Sequence, residues 1–292
     1  MAKLVTIVAP TWNGVENLKY FIPSLKKQTF KNFDVIILDN GSSDQSVVKF
    51  CRKSGVKCIR VFPNKGYSGG CNRLFKAASK SKYTALFNDD MKLEPDVIEK
   101  LVGLAETDDR IGAVQPVLTS WDGKILESTG LTVTYGSFIA TRGKGAAFRR
   151  MTDAPSNIFG ISVGLFRNDA LKQAKYFDED FNPAYYEDGD LSMKIKALGY
   201  RIMLHPAAVV NHKGGITTDR MGHAKALSVH RNRYRFLKKW WTPSMWLKAI
   251  AYTPLVAGFY ILKGETAYFL ATFEFLTGKI KAKKESIKPL KF

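Results

Sequence analysis

Short apolar runs alternate with segments whose apolar residues recur every three or four positions, and this switch between strand-like and helix-like spacing organises the N-terminal third of the chain. Leu4 to Ala9 reads as a first strand, and Gly14 to Gln28 sets Leu18, Phe21, Ile22 and Leu25 on one helical face. Phe33 to Leu38 predicts a second strand, Ser46 to Ser54 a helix, and Lys57 to Phe62 a third strand. A glycine-rich loop at Gly66 to Gly70, a helix at Cys71 to Ser79 and a strand from Tyr83 to Phe87 complete the series. Strands alternating with helices imply an α/β fold, a mostly parallel, doubly wound sheet with helices on both faces. Further on, the spacing predicts strands at Val114 to Leu118, Leu131 to Tyr135 and Ile161 to Phe166, and a short helix at Asp169 to Ala174. Thr141 to Arg150, basic and glycine-containing, reads as a mobile loop. Leu191, Ile195 and Leu198 mark another helix, and Tyr200 to Leu204 and Val209 to Val210 read as extended runs on either side of Pro206.

Beyond Arg235 the pattern changes. Trp240, Trp241, Trp246, Phe259, Tyr260, Tyr268, Phe269 and Phe273 crowd a segment flanked by lysines and followed by a tail holding Lys279, Lys281, Lys283, Lys284, Lys288 and Lys291. The uncharged run Ala249 to Leu262 is shorter than the roughly 20 residues a bilayer-crossing helix needs, and Pro254 interrupts it. The segment is expected to lie on a membrane interface or to pack as a helical cap on the main domain or on a second subunit. Net charge of +19 and a pI near 9.7 favour a polyanionic partner: nucleic acid, an anionic membrane surface or a phosphorylated substrate. The three cysteines, Cys51, Cys58 and Cys71, lack metal-site spacing and are odd in number, so reduced thiols in a cytoplasmic protein are expected. The N-terminus enters its first strand without the apolar core of a signal peptide, so secretion is not expected.

Two acidic groups stand out in this basic chain: Asp89 and Asp90 after a strand, and Glu187, Asp188 and Asp190 at the start of a helical pattern. Carboxylates so clustered suit a metal-held phosphate and a catalytic base; read structurally, they suit a turn and a helix N-terminus. Ligands of such sheets bind beyond the carboxyl ends of the strands, where Pro10 to Asn13, Asp39 to Asp44, Asn64 to Gly70 and Asn88 to Asp90 should converge. Neither GxGxxG in the first turn nor GxxxxGK[ST] is present, which weighs against a dehydrogenase and a P-loop ATPase.

The ordered set of these motifs resembles the inverting family-2 glycosyltransferases of the GT-A fold, especially the rhamnosyl- and galactofuranosyltransferase branch. The matching residues run through Pro10 to Asn13, Asp39 to Asp44, Asn64 to Gly70, Asn88 to Asp90, Phe177 to Glu179, Tyr186 to Leu191, Gly199 with Tyr200, and Pro206 with His212. The branch often carries Asn, Pro, Asp where this chain has Asn88, Asp89, Asp90. The resemblance implies a catalytic domain over residues 1–235, with 236–292 as a C-terminal helical segment.

It also implies a reaction, the transfer of a sugar from a nucleotide-diphospho-sugar (UDP-, dTDP- or GDP-linked) to a hydroxyl of a glycan or lipid-linked acceptor. Asp90, with His212, would hold Mg²⁺ or Mn²⁺, and Asp89 would meet the ribose or a metal-bound water. Asp188 would be the general base, its pKa raised by Glu187 and Asp190. Asp39 and Asn40 would read the base, Pro10, Thr11 and Asn13 would frame the pocket, and Gly66 and Gly70 would allow close backbone approach. Trp121, Tyr186, Glu187 and Asp190 are expected at the acceptor or in support. Arg231, Arg233 and Arg235 would clamp the diphosphate or line a solvated helix face. Competing readings are a nucleotide-sugar-binding protein without transferase activity, a nucleotidyltransferase and, least favoured, a nucleic-acid-binding protein, because the positive charge is spread and gathered in the tail. Donor sugar, acceptor and oligomeric state stay open.

Overall fold

A computed structural model describes residues 3–134, 138–214, 223–240 and 243–282. The chain begins β1 (Val5–Thr11), α1 (Val15–Lys26), β2 (Phe33–Asn40), α2 (Ser46–Lys53), β3 (Lys57–Val61), α3 (Gly66–Ala77) and β4 (Tyr83–Leu86). It continues with β5 (Met91–Leu93), α4 (Val97–Glu106), β6 (Ile111–Ser120), β7 (Leu126–Ser128), β8 (Leu131–Val133), β9 (Ile139–Thr141), β10 (Ser156–Asn157), β11 (Gly164–Arg167) and α5 (Asn168–Gln173). A 3₁₀ turn at Glu179–Phe181 leads to α6 (Glu187–Ala197) and β12 (Arg201–His212), followed by α7 (His223–Trp240), α8 (Pro243–Leu262) and α9 (Thr266–Leu276).

One sheet runs β10-β12-β6-β11-β4-β1-β2-β3, with β5 beside β12 and β7 beside β6. The half β4-β1-β2-β3 is parallel, and antiparallel β11 is inserted between β4 and β6. β1 and β4 are apolar on both faces because helices cover both. Leu18 and Phe21 of α1, Val47 of α2 and Leu101 of α4 fill one side, and Leu74 and Phe75 of α3, Leu171 of α5 and Ile195 of α6 fill the other. A smaller cluster of Phe181, Tyr186, Met193, Phe236 and Trp240 joins α6 to α7, which runs unbroken past Arg235.

Several expectations shift. Gly66 to Gly70 is no loop; it forms the first turn of α3. The reason is close packing, since a Cβ at Gly70 would lie 3.0 Å from Asn40 Nδ2 and 3.1 Å from Leu38 Cδ2. The two runs around Pro206 are one strand, β12, and a register shift between His205 and Val209 absorbs the proline. The 141–150 segment is pinned: Thr141 closes β9, the Phe148 N–H donates to the Lys124 carbonyl (2.7 Å), and Arg150 forks onto Glu94 (2.8 and 3.1 Å). The second of the late strands, expected over Leu131 to Tyr135, is described as far as Val133, and Tyr135 lies outside the described residues. The cysteines are free thiols.

Candidate active site

At the carboxyl end of β2 the sequence Asp39-Asn40-Gly41-Ser42-Ser43 folds against the end of β1. The buried Asp39 carboxylate accepts the Ser42 N–H through Oδ1 (2.9 Å), and its Oδ2 lies 3.3 Å from Arg60 Nη1. That second contact is an ion pair outside hydrogen-bond geometry, which leaves Oδ2 without a hydrogen-bond partner. Asn13, at φ 55°, accepts the Ser43 N–H on Oδ1 (2.9 Å) and donates its own N–H to Ser42 Oγ (2.9 Å). Asn40 is consumed by structure: Nδ2 donates to the Gly66 carbonyl (2.9 Å) and Oδ1 accepts the Lys65 N–H (3.1 Å). Pro10 sits within β1 opposite Leu38, one residue before the edge of the cleft.

The acidic pair after β4 splits. Asp89 turns toward α1, where it accepts from Thr11 Oγ1 and from Asn17 Nδ2 (3.4 Å), and Gly14 leaves room for its carboxyl group. Burial first, and the Asp90 charge after it, raise its pKa to about 7 against the opposing pull of Thr11 and Asn17. Asn88, one residue earlier, faces the other way and accepts the Tyr67 hydroxyl (3.0 Å). Asp90 faces His212, with Oδ1 3.3 Å from Nε2 and otherwise without a hydrogen-bond partner. Glu127 holds the opposite ring nitrogen, Nδ1, at 2.6 Å. Burial lowers the imidazole pKa, but the Asp90 and Glu127 hydrogen bonds outweigh it and lift the group to about 9.

The second acidic group opens α6. Tyr185 and Tyr186 hold left-handed backbone, φ 78° and 76°, a conformation that costs a non-glycine residue and that the surroundings must enforce. Asn232 of α7 supplies that restraint: its Nδ2 donates to the carbonyls of Phe181 (2.7 Å), Ala184 (3.0 Å) and Tyr185 (2.9 Å). Asp190, wholly buried, accepts Trp240 Nε1 (2.7 Å) and pairs with Lys239 and Lys194, both at 2.9 Å. It is a structural anchor. Tyr186 packs on Phe236. Glu187 is buried with Oε2 lacking a hydrogen-bond partner, and burial together with the Asp188 charge drives its pKa well above normal. Asp188 Oδ1 accepts the Gly189 N–H (2.7 Å), and burial raises its pKa to about 6.

Tyr67 ties the two acidic groups together. Its N–H donates to the Pro183 carbonyl (3.0 Å), its hydroxyl reaches Asn88, and the Glu187 and Asp188 charges help push its pKa up behind burial. Trp121 lies edge-on to Tyr20 at 5.4 Å with Lys92 and Lys213 over its ring, and the Lys213 N–H donates to the Asp90 carbonyl (3.0 Å). The arginines of α7 do not line the cleft as a clamp. Arg231 forks onto Glu274, Arg233 is buried against Phe138, and Arg235 donates to Asn232 Oδ1 (2.6 Å).

Residues 6–171 match the profile described as "Glycosyl transferase family 2", more than half of the chain. The chain belongs to glycosyl transferase family 2. This glycosyltransferase is 26% identical over 277 residues to the N-acetylglucosaminyl-diphospho-decaprenol L-rhamnosyltransferase of Mycobacterium tuberculosis, covering 84% of this chain and 89% of the relative. It shares its fold with GalNAc-T7 solved with UDP, GalNAc and Mn²⁺, at TM-score 0.65 and 13% identity over 83% of this chain and 49% of that one. S. aureus TarS 1–349 in complex with UDP-GlcNAc aligns at TM-score 0.59 and 14% identity over 95% of this chain and 81% of that one. The fold is GT-A. The matched family segment ends before Glu187, Asp188, Asp190 and His212, so those residues rest on geometry.

Among the described residues no group of three or more His, Cys, Asp and Glu side chains is arranged to hold a metal ion. The Asp90–His212 pair nonetheless fits one. With Nδ1–H directed at Glu127, a proton bridges Nε2 and the otherwise unpaired Asp90 oxygen at 3.3 Å, and a divalent cation that displaced this proton would take both atoms as ligands. Mg²⁺ or Mn²⁺ at substrate phosphates takes few protein ligands, which suits two.

Sequence reasoning missed Asn232, Arg60 and Glu127, because each meets its partner only through the tertiary fold.

Proposed function

We propose that this glycosyltransferase is metal-dependent and inverting, moving a hexosyl or deoxyhexosyl group from a nucleotide-diphospho-sugar to a hydroxyl of a glycan or lipid-linked acceptor in cell-envelope synthesis. The observation that carries the reading is Asp188, a half-buried carboxylate at the start of α6 with its pKa lifted to about 6, joined through Tyr67 to the loop that presents Asp90. A carboxylate with that pKa is ionised at neutral pH and basic enough to take a hydroxyl proton. As the acceptor oxygen attacks the anomeric carbon, Asp188 takes that proton; one displacement inverts the centre. Asp190 and Asn232 hold the base in position without touching substrate.

Asp90 and His212 would bind the divalent cation, which neutralises the diphosphate as it departs. Asn88 faces the donor side in place of Asp89, and Asp89 with Thr11 braces the turn from behind. Asp39 keeps one carboxylate oxygen unbonded for the base of the nucleotide. The ligands bound in the structures of similar fold, UDP with Mn²⁺ and UDP-GlcNAc, support a nucleotide-sugar donor. The name of the mycobacterial relative supports a lipid-linked acceptor and hence a working position on the cytoplasmic face of a membrane.

Thermal stabilisation by UDP-, dTDP- and GDP-sugars, each with and without Mn²⁺, tests the donor site, because ligands of the native state raise its stability by mass action. One nucleotide class should give a shift that needs Mn²⁺ and disappears in Asp90→Ala. No shift with any donor would sink the proposal.

A further inference from the structure

We propose that the outer face of the α8–α9 hairpin is a docking surface for an anionic lipid bilayer, on which the hairpin lies without crossing. The proposal does not depend on the sugar-transfer reading, because it rests on the surface of two helices that contribute no residue to the cleft.

Helix α9 is apolar on two sides. Its inner side is accounted for: Ala267, Tyr268 and Ala271 are buried, Thr272 shares a hydrogen bond with Tyr234 (2.7 Å), and Phe275 stacks on Tyr234 at 4.5 Å. Its outer side carries Phe269, Phe273 and Leu276 at positions i, i+4 and i+7, with Leu270 beside them, all exposed. Helix α8 repeats that spacing with Leu255, Phe259 and Leu262, and adds Leu247, Ile250 and Ile261. A helix that is hydrophobic all round belongs in a core or in lipid, and no described element covers this side.

Charge selects the occupant. From Ala249 to Leu262 the chain has no ionisable Asp, Glu, Lys or Arg, and Lys263 and Lys279 stand at the margin with Nζ 4.5 Å over Phe259 and 5.7 Å over Phe273. Neither lysine has a carboxylate partner among the described residues, whereas the two acids of this region are engaged, Glu274 by Arg231 and Glu265 by the Ala267 N–H. Beyond them the sequence adds Lys281, Lys283, Lys284, Lys288 and Lys291 against the single acid Glu285. Ammonium groups bordering an apolar face fit the boundary between acyl chains and anionic headgroups. A second copy of this chain fits poorly, because a two-fold contact would set like-charged margins against each other. Among the described residues no helix is long and apolar enough to cross a membrane.

Flotation of the full chain tests this with two vesicle types, phosphatidylcholine alone and an equal mixture of phosphatidylcholine and phosphatidylglycerol. The chain should float with the anionic vesicles, and the bound fraction should fall as salt rises. The double variant Leu255→Ser/Phe273→Ser should lower binding about tenfold or more with its melting temperature and donor binding unchanged. Lys263→Gln/Lys279→Gln, which removes charge and no apolar surface, should weaken binding to anionic vesicles only. The proposal is overturned if the full chain floats with neither vesicle. It is equally overturned if the chain sediments as a dimer that Leu255→Ser/Phe273→Ser converts to monomer while vesicle binding is unaffected.

Discussion

The cleft and the α8–α9 hairpin invert the usual distribution of polar and apolar groups. In the cleft, Asp190, Glu187, Asp39 and Asp89 are carboxyl groups taken out of water; on the hairpin, Leu255, Phe259, Leu262 and Phe273 are apolar side chains left in it. Elsewhere among the described residues the exposed large hydrophobics are scattered, as at Trp12, Tyr20, Phe62 and Ile125. Each inversion costs free energy unless something compensates it. In the cleft the compensation is visible as ion pairs and hydrogen bonds from distant elements, with a few oxygens left without a hydrogen-bond partner. On the hairpin none of the described elements supplies such compensation. Helix α7 is the joint, for Asn232, Lys239 and Trp240 face the cleft while Arg231 and Tyr234 face α9.

The comparison breaks first at Asp188. Asp188→Asn should lower transfer by about 10²–10⁴-fold with donor affinity retained, whereas changes to the hairpin surface should spare transfer to a soluble acceptor. Unchanged turnover in Asp188→Asn would remove it from the base role. The pH profile sharpens the same point. A carboxyl raised to about 6 loses its capacity to accept a proton below that value, so kcat/KM should fall about tenfold per pH unit on the acid side of pH 6 and level off above it. A flat profile between pH 5 and about 7 would contradict the assignment.

Asn232→Ala tests the joint. It leaves three carbonyls, one buried and two part-buried, without their shared donor, which should cost about 3 kcal/mol and appear as a lower denaturation midpoint. Turnover should fall further than donor affinity, because the Phe181–Tyr185 segment positions Asp188 and not the nucleotide. The smallest effect belongs to the hairpin: Leu262, 90% exposed, should tolerate serine within about 0.5 kcal/mol in urea titration. A large loss there would mean that the chain itself covers this face.

Local pattern determined the strands β1 to β4, the helices between them and the family resemblance, because side-chain periodicity and turn chemistry are written in neighbouring residues. It also brought the polar loops to one end of the sheet, since parallel strands with crossover helices leave their carboxyl ends together. Tertiary structure decided what sequence spacing could not carry. Asn232 meets Phe181 across 51 residues, His212 meets Glu127 across 85, and Lys239 meets Asp190 across 49. No local signal marks such partners, because a buried carboxylate or a strained tyrosine backbone is stabilised by whichever polar group folding delivers to it. The arginines of α7, which sequence left between a diphosphate clamp and a solvated helix face, show the same dependence. Charge is a property of sequence, but whether a guanidinium faces a diphosphate or a glutamate depends on the helix packed opposite.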